Sequence, residues 1–384
     1  MDMDTLTTDN LKQLFETVFQ FRPADKVLTF IVDVPNDNLP DHDQWLARRS
    51  MAYDWWQKAS SFREDIGLET VQIFYYENVG SNNNNLPDRF YAVEGSPEQF
   101  TAEVIRLKGK EIPMAEVMAE TDLIIAPTEL SATAPCKMLA KEYDFRGTTM
   151  PGFIPEMLPA LNLDYNKVHE RIMNMKTRLD EAVKEDIVFD VRGTEYTFNC
   201  DLRNRKATAS SGMFHDDKIV GNLPSGETYI VPYEGEITGN PSGSAGTIPV
   251  QFGEEIVLYR IEGNRAVEVL SEGKESDRQR HMLIDEPAYG NIAEIGHGVL
   301  GEFGLQAVGS LLMDEKLGLH IAFGRSEHFG GIVSPKSFND PAKVVHIDRV
   351  YVESLQPDIT IKRVVLSYVD GLKETIMEDS AWTV

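Results

Sequence analysis

An N-terminal α/β domain with a parallel sheet, followed by a C-terminal β-rich α+β domain, is the fold class this 384-residue sequence predicts. Three observations carry the prediction. Apolar runs alternate with helix-length segments over the first part of the chain. One amphipathic stripe then spans residues 164–183. Beyond it, short β-type runs are separated by glycine-rich turns. A chain of 384 residues suits two domains, 1–160 and 161–384.

The elements follow in order. Residues 26–34 (KVLTFIVDV) form an apolar, β-branched run that suits a buried strand. Residues 43–62 have helix length and carry Trp45, Trp55 and Trp56, expected in the core or at a subunit contact rather than as a cofactor platform. Residues 70–76 and 122–126 (DLIIA) are further strand candidates, and 132–143 a helix. That alternation argues for a parallel sheet with crossover helices. Ser81 and the asparagines after it, ahead of Leu86-Pro87-Asp88, read as an exposed turn or loop. In 164–183, Val168, Ile172, Met175, Leu179 and Val183 recur at spacings of four and three, one face of a connecting helix. Residues 187–192, 194–200, 228–231 and 255–261 read as strands of an antiparallel or mixed sheet.

Hydrophobic residues make up 42% and charged residues 26%, an ordinary globular composition that needs no staple. The net charge of −25 repels nucleic acid and anionic lipid, so neither is an expected partner. The 2 cysteines, Cys136 and Cys200, make no disulfide framework and fit a reducing compartment. The opening MDMDTLTTDN lacks a basic and an apolar region, and no stretch approaches the roughly 20 apolar residues of a membrane span. A cytoplasmic location is expected.

Five of the 8 histidines, His281, His297, His320, His328 and His346, fall in the C-terminal third. Four segments there carry candidate chemistry. In GNLPSGE a turn delivers Glu227 to the start of a strand; read alone, the segment is better explained as an ordinary surface turn with a solvated glutamate. In NIAEIGHG, Glu294 sits among apolar residues and glycines, and a buried carboxylate is costly unless paired or metal-bound. In DEKLGLHIAFG, His320 lies in a run that reads as a core strand, with Glu315 five residues upstream. In VVHID, His346 and Asp348 are two apart, so a strand projects both to one face. Such a pair suits zinc, iron, cobalt or manganese, or a plain hydrogen-bonded pair. Together, Glu227, Glu294, Glu315, His320, His346 and Asp348 offer more ligands than one zinc needs and suit two divalent ions with a bridging carboxylate.

These four segments, in this order, resemble the aminopeptidase T and aminopeptidase S family of metallopeptidases, most strongly over residues 192–350. The resemblance implies a two-metal site on those same six residues, with Glu294 as the bridge and zinc, cobalt or manganese as the ions. It also implies a homodimer that removes N-terminal residues from small peptides. One departure stands out. Where the family has a tyrosine beyond the ligand histidine, this chain reads Gly324-Arg325-Ser326-Glu327-His328. Glu327 and His328 thus join Glu294 as candidate catalytic groups, and each is equally a solvated loop residue.

The sequence is also similar to the dihydroxypyridine ring-cleaving dioxygenases, which hold one Fe(II) with two histidines and an aspartate. Their ligands would fall at Glu294, His346 and Asp348, and His297 keeps that alternative open. A third reading is a metal-binding homologue without peptidase activity. The leading expectation is a metal-dependent aminopeptidase.

Overall fold

The computed structural model describes residues 6–384. The chain forms two compact units, one running to His169 and taking in Gly212–Ser225, the other Glu170–Ser211 with Gly226–Val384. A single cut near residue 160 does not describe this division. The short strand Val220–Asn222 pairs in parallel with Arg146–Thr149, and that ladder returns the segment to the first unit.

In the first unit a seven-stranded sheet runs in the order Val220–Asn222, Arg146–Thr149, Leu123–Ala126, Val27–Val34, Thr70–Glu77, Arg89–Ala92, Lys110–Pro113. The pairings as far as Thr70–Glu77 are parallel, and the last two strands add an antiparallel edge. The helices Asp43–Phe62 and Thr133–Tyr143 are among its connections. Val27–Val34 is buried almost throughout, as a strand covered on both faces must be. Its alternation divides the core: Ile31 packs with Phe74 and Tyr76, Val32 and Val34 with Tyr75 and Phe100. Trp45 and Trp55 are core residues, and the half-buried Trp56 donates its indole N–H to the Val71 carbonyl. The asparagine loop is exposed, with the Asn82 and Asn83 side chains accepting from the Ser131 and Ala134 N–H groups.

The connecting helix is Tyr165–Glu181, and Val168, Ile172, Met175 and Leu179 are buried as its stripe requires. Val183 does not belong to it. Strand Ala182–Val191 begins one residue earlier and pairs on both sides, with Thr194–Asp201 and Ile359–Tyr368, so ladder bonding takes Val183 out of the helix.

The second unit holds an eight-stranded and a five-stranded sheet, whose pairings are antiparallel. The smaller runs Thr208–Ser210, Glu227–Ile230, Ile292–Gly298, Leu319–Gly324, His346–Val350. One core joins the two sheets: Ile187, Phe189 and Ile361 from the larger meet Ile230, Ile295, Leu319, Ile321 and Phe323 from the smaller. Each such side chain contributes about 1.5–3 kcal/mol on burial. The smaller sheet is thus pinned through one face, leaving its other face for polar groups. Among the described residues, no helix is long and apolar enough to cross a membrane.

Candidate metal centre

The period of two along each strand builds the centre on that other face. While Ile230, Ile295, Ile321 and Phe323 point into the core, Glu227 and Tyr229, then Glu294, then His320, then His346 and Asp348 alternate with them. Cross-strand registers bring these into adjacent rows: Tyr229 opposite Gly296 and Gly296 opposite His320, then Glu294 opposite Ala322 and Ala322 opposite Asp348. Small residues between the polar ones leave the space. A Cβ on Gly296 would lie 1.9 Å from the His320 Nε2, so any side chain there would displace the imidazole.

Two groups of ligand-type atoms result, Glu227 with Glu294 and His320, and Glu294 with His346 and Asp348, each with its atoms within 4.8 Å of one another. Glu294 belongs to both. Its Oε1 lies 3.3 Å from His320 Nε2 and its Oε2 3.4 Å from His346 Nε2. His320 Nε2 is also 3.7 Å from Glu227 Oε2, and His346 Nε2 is 3.4 Å from Asp348 Oδ1. The His346 Nδ1–H donates to the Arg325 carbonyl at 2.8 Å, which fixes the tautomer and turns Nε2 toward the carboxylates.

Charge is the dominant physical fact here. Four carboxylates, Glu227, Glu294, Glu315 and Asp348, share this region with one fully buried ammonium, Lys316, whose Nζ is 3.6 Å from Glu227 Oε1 and in contact with Glu315. Unpaired buried charge is costly, so further positive charge is required. Burial by itself would lower the imidazole pKa values. The neighbouring carboxylates outweigh it, taking His320 up to about 9 through Glu294, Glu227 and Asp348, and His346 well above its ordinary range through Asp348 and Glu294. Burial would raise Glu294, but hydrogen bonds from His320 and His346 bring it down to about 2. Burial pushes Glu315 up to about 8; Lys316 opposes this, and Glu227 and Asp348 reinforce it. A divalent ion supplies the same compensation with deprotonated imidazoles. His320 Nδ1 is buried without a hydrogen-bond partner, so this ring meets the carboxylates through its Nε2. The donor set, carboxylate oxygen with imidazole nitrogen, fits zinc, cobalt, manganese or iron.

The six predicted ligand residues do not all stand alike. Glu227, Glu294, His320, His346 and Asp348 converge, whereas Glu315 lies outside both groups with its carboxylate against Lys316. His297 lies on the far face. Its Nε2 is 2.9 Å from Glu185 Oε1 and its Nδ1 3.2 Å from the Thr228 carbonyl, both side chains wholly buried, so it is not a ligand here. Three residues from Glu294 is an odd step, and a strand sends odd steps to opposite faces. Glu327 is exposed and bound to Arg325 at 2.7 Å. His328 is exposed but its ring centroid is 5.1 Å from that of His346; partial desolvation, then the charges of His346 and Arg325, take it down to about 4. Sequence reasoning missed Lys316 and Tyr229. Tyr229 was within reach, since it stands two residues after Glu227 on the same face. Burial and the nearby Glu294 and Glu227 carboxylates raise its phenol above the usual range.

The architecture is that of a two-domain α/β protein with added antiparallel sheets. The same fold is seen in 2,5-dihydroxypyridine dioxygenase from Pseudomonas putida KT2440, at 15% identity and a TM-score of 0.60, covering 99% of this chain and 98% of that one. It is seen again in AmpT, the aminopeptidase T of Thermus thermophilus, at 14% identity and a TM-score of 0.54, covering 98% and 99%. No protein-family model matches the chain, and no curated protein sequence matches it. At these identities the likeness speaks for fold alone, and function has to be argued from the site.

Proposed function

We propose that the second unit is a metal-dependent hydrolase that cleaves N-terminal peptide bonds of small peptides, with two divalent ions sharing Glu294. The observation that carries the reading is the pair of carboxylate–imidazole groups meeting on that one residue. Glu227 and His320 would hold one ion, His346 and Asp348 the other. Two ions so placed lower the pKa of a water and polarise a carbonyl oxygen. The chain's own residues do the rest. The hydrogen bond from His346 to Arg325 orients one imidazole, and the Lys316 ammonium lies against both Glu227 and Glu315. Of the candidate catalytic groups, Glu294 lies inside the cluster, as the residue common to both groups. Glu327 is turned to solvent with Arg325, and His328 meets the cluster through its ring contact with His346.

The likeness to AmpT is compatible with this reading, and the likeness to the dioxygenase supplies the competitor. A single-iron reading would use Glu294, His346 and Asp348, and it leaves Glu227, His320 and Lys316 without a role. Metal analysis of purified protein, paired with assays on an aminoacyl amide and on 2,5-dihydroxypyridine, separates the two. The expected result is about two ions per chain and amide hydrolysis that chelation abolishes and zinc, cobalt or manganese restores. One iron with oxygen consumption would favour the dioxygenase, and bound metal without either activity the non-catalytic homologue.

A further inference from the structure

The turn Glu327–Phe329 places aromatic rings against a candidate metal ligand, although nothing in the chemistry of metal binding asks for them. The Phe329 centroid lies 4.8 Å from that of Tyr229 and 5.3 Å from that of His346, at interplanar angles of 54° and 75°. His328 backs Phe329 at 4.0 Å and meets His346 nearly at right angles. Rings at such separations and steep angles favour a further ring seated edge to face. Tyr229 and Phe329 are both only half-buried, so neither side chain is closed off from solvent.

The wall is built in advance. Ser326 is buried, its hydroxyl donating to Glu234 at 2.6 Å and accepting from the Val333 N–H at 3.2 Å. Glu234 also accepts from the Asn291 amide and the Ile332 N–H, so both ends of the turn are tied to one carboxylate. A recognition surface fixed before binding loses little entropy when it binds. The charged groups on the turn, Arg325 and Glu327, already satisfy each other.

We infer that Tyr229, Phe329 and His346 frame a subsite for the side chain of a substrate's N-terminal residue, and that it selects planar aromatic groups. The inference rests on the aminopeptidase reading and names the substrate class of that site. Its test uses the full, metal-loaded protein with two readouts, binding of phenylalanine hydroxamate against alanine hydroxamate by calorimetry, and hydrolysis of the matching amino-acid p-nitroanilides. The phenylalanine compounds should be preferred at least about 10-fold in Kd and in kcat/KM, the scale of one well-placed apolar group. Phe329→Ala should abolish the preference, bringing the phenylalanine and alanine compounds within about 2-fold of each other, with metal content unchanged. Phe329→Leu, which keeps the apolar bulk, guards against misfolding and should lose most of the preference as planarity goes. Equal binding of both hydroxamates to the unaltered protein would overturn the subsite, as would a Phe329→Leu variant that keeps the full preference. Preferred binding of phenylalanine hydroxamate with no hydrolysis of either anilide would instead uphold the subsite and sink the hydrolase reading.

Discussion

The Glu227–Glu294–His320 group and the Glu294–His346–Asp348 group share a carboxylate but differ in everything around it. The first is wholly buried, its histidine 1% exposed, with the Lys316 ammonium already against its glutamate. The second is less enclosed, its histidine 18% exposed and aimed by the Arg325 carbonyl. The first is therefore partly neutralised before any metal arrives, and its imidazole is less firmly oriented, since Nδ1 has no partner. The second has no ammonium in contact with its ligand atoms among the described residues, and its imidazole is preset. The difference teaches that one shared glutamate can serve two unequal sites. On the proposed reading, the His346 side binds its ion more tightly, and the His320 side binds one against the opposition of Lys316.

The largest effect should follow from removing what the two share. Glu294→Ala should lose both ions and cut hydrolysis by well over about 100-fold, beyond the range of changes to residues that merely support ligands. Retention of two ions, measured by metal analysis, would show that the groups do not meet through Glu294. The next variants separate the sides. His346→Ala should lose the tighter ion, and His320→Ala the weaker one while keeping the other. Equal losses would erase the asymmetry. In Lys316→Met the Glu227 and Glu315 carboxylates lose the buried ammonium that lies against them, so the metal-free protein should be destabilised by roughly 3–5 kcal/mol in denaturant unfolding, as when one partner of a buried pair is removed. Saturating zinc should recover most of that. A metal-free Lys316→Met protein as stable as the unaltered one would mean the ammonium is not needed for charge balance.

How much of this could be read from the chain depends on which strand rule applies. The alternation of runs exposed the parallel core through segments such as KVLTFIVDV, because a doubly covered strand is apolar throughout. The excursion of Val220–Asn222 was not legible, since three residues bonding to a distant edge carry no periodicity. In the site, His346 and Asp348 follow from the step of two, and the same step misplaces His297 once it is ignored. Glu315 shows the limit. Its spacing to His320 says nothing of where a short helical turn, Glu315–Leu317, will aim a carboxylate, and the lysine beside it captures that group. The four ordered segments located the region, but only the fold could say which residues converge.

A pH effect should come next in size. In the metal-free protein, folded His320 titrates near 9, above the ordinary 6.5, so its stabilising contribution is complete below about pH 6.5 and lost as pH rises through 9. Glu315, raised from 4.5 to about 8, acts in the same sense, its contribution being lost as pH rises toward 8. Glu294, lowered to about 2, acts oppositely, its contribution present above 4.5 and lost only as pH falls toward 2. Metal-free protein should thus lose stability from about pH 4.5, where Glu315 begins to contribute less, up to about pH 9, most steeply above 6.5 where His320 joins, in thermal unfolding, and protein with bound metal much less. Because His320 must shed a proton to bind an ion, calorimetry at pH 7 in two buffers should detect proton release. A metal-binding enthalpy independent of the buffer's ionisation enthalpy would mean the imidazoles are already neutral.

The smallest effect should belong to Glu327. Its carboxylate is 46% exposed and its partner Arg325 is 34% exposed, at 2.7 Å. Exposed pairs of this kind contribute roughly 0–1 kcal/mol, so Glu327→Gln should change stability and kcat by less than about 5-fold in equilibrium or rate terms. The reason lies in the comparison of the two groups. A proton acceptor for a water held near Glu294 has to be desolvated and close, and the buried carboxylates meet both conditions, whereas Glu327 is held outward by a guanidinium. His328 stands between these cases, with its ring on His346 but its edge in water, so His328→Ala should perturb KM for aromatic substrates more than kcat. If Glu327→Gln instead lowers kcat by more than about 100-fold with both ions retained, a general acid–base role of the usual size belongs to that residue. The Arg325 pair would then have to open during turnover, and the turn Glu327–Phe329 would move with it.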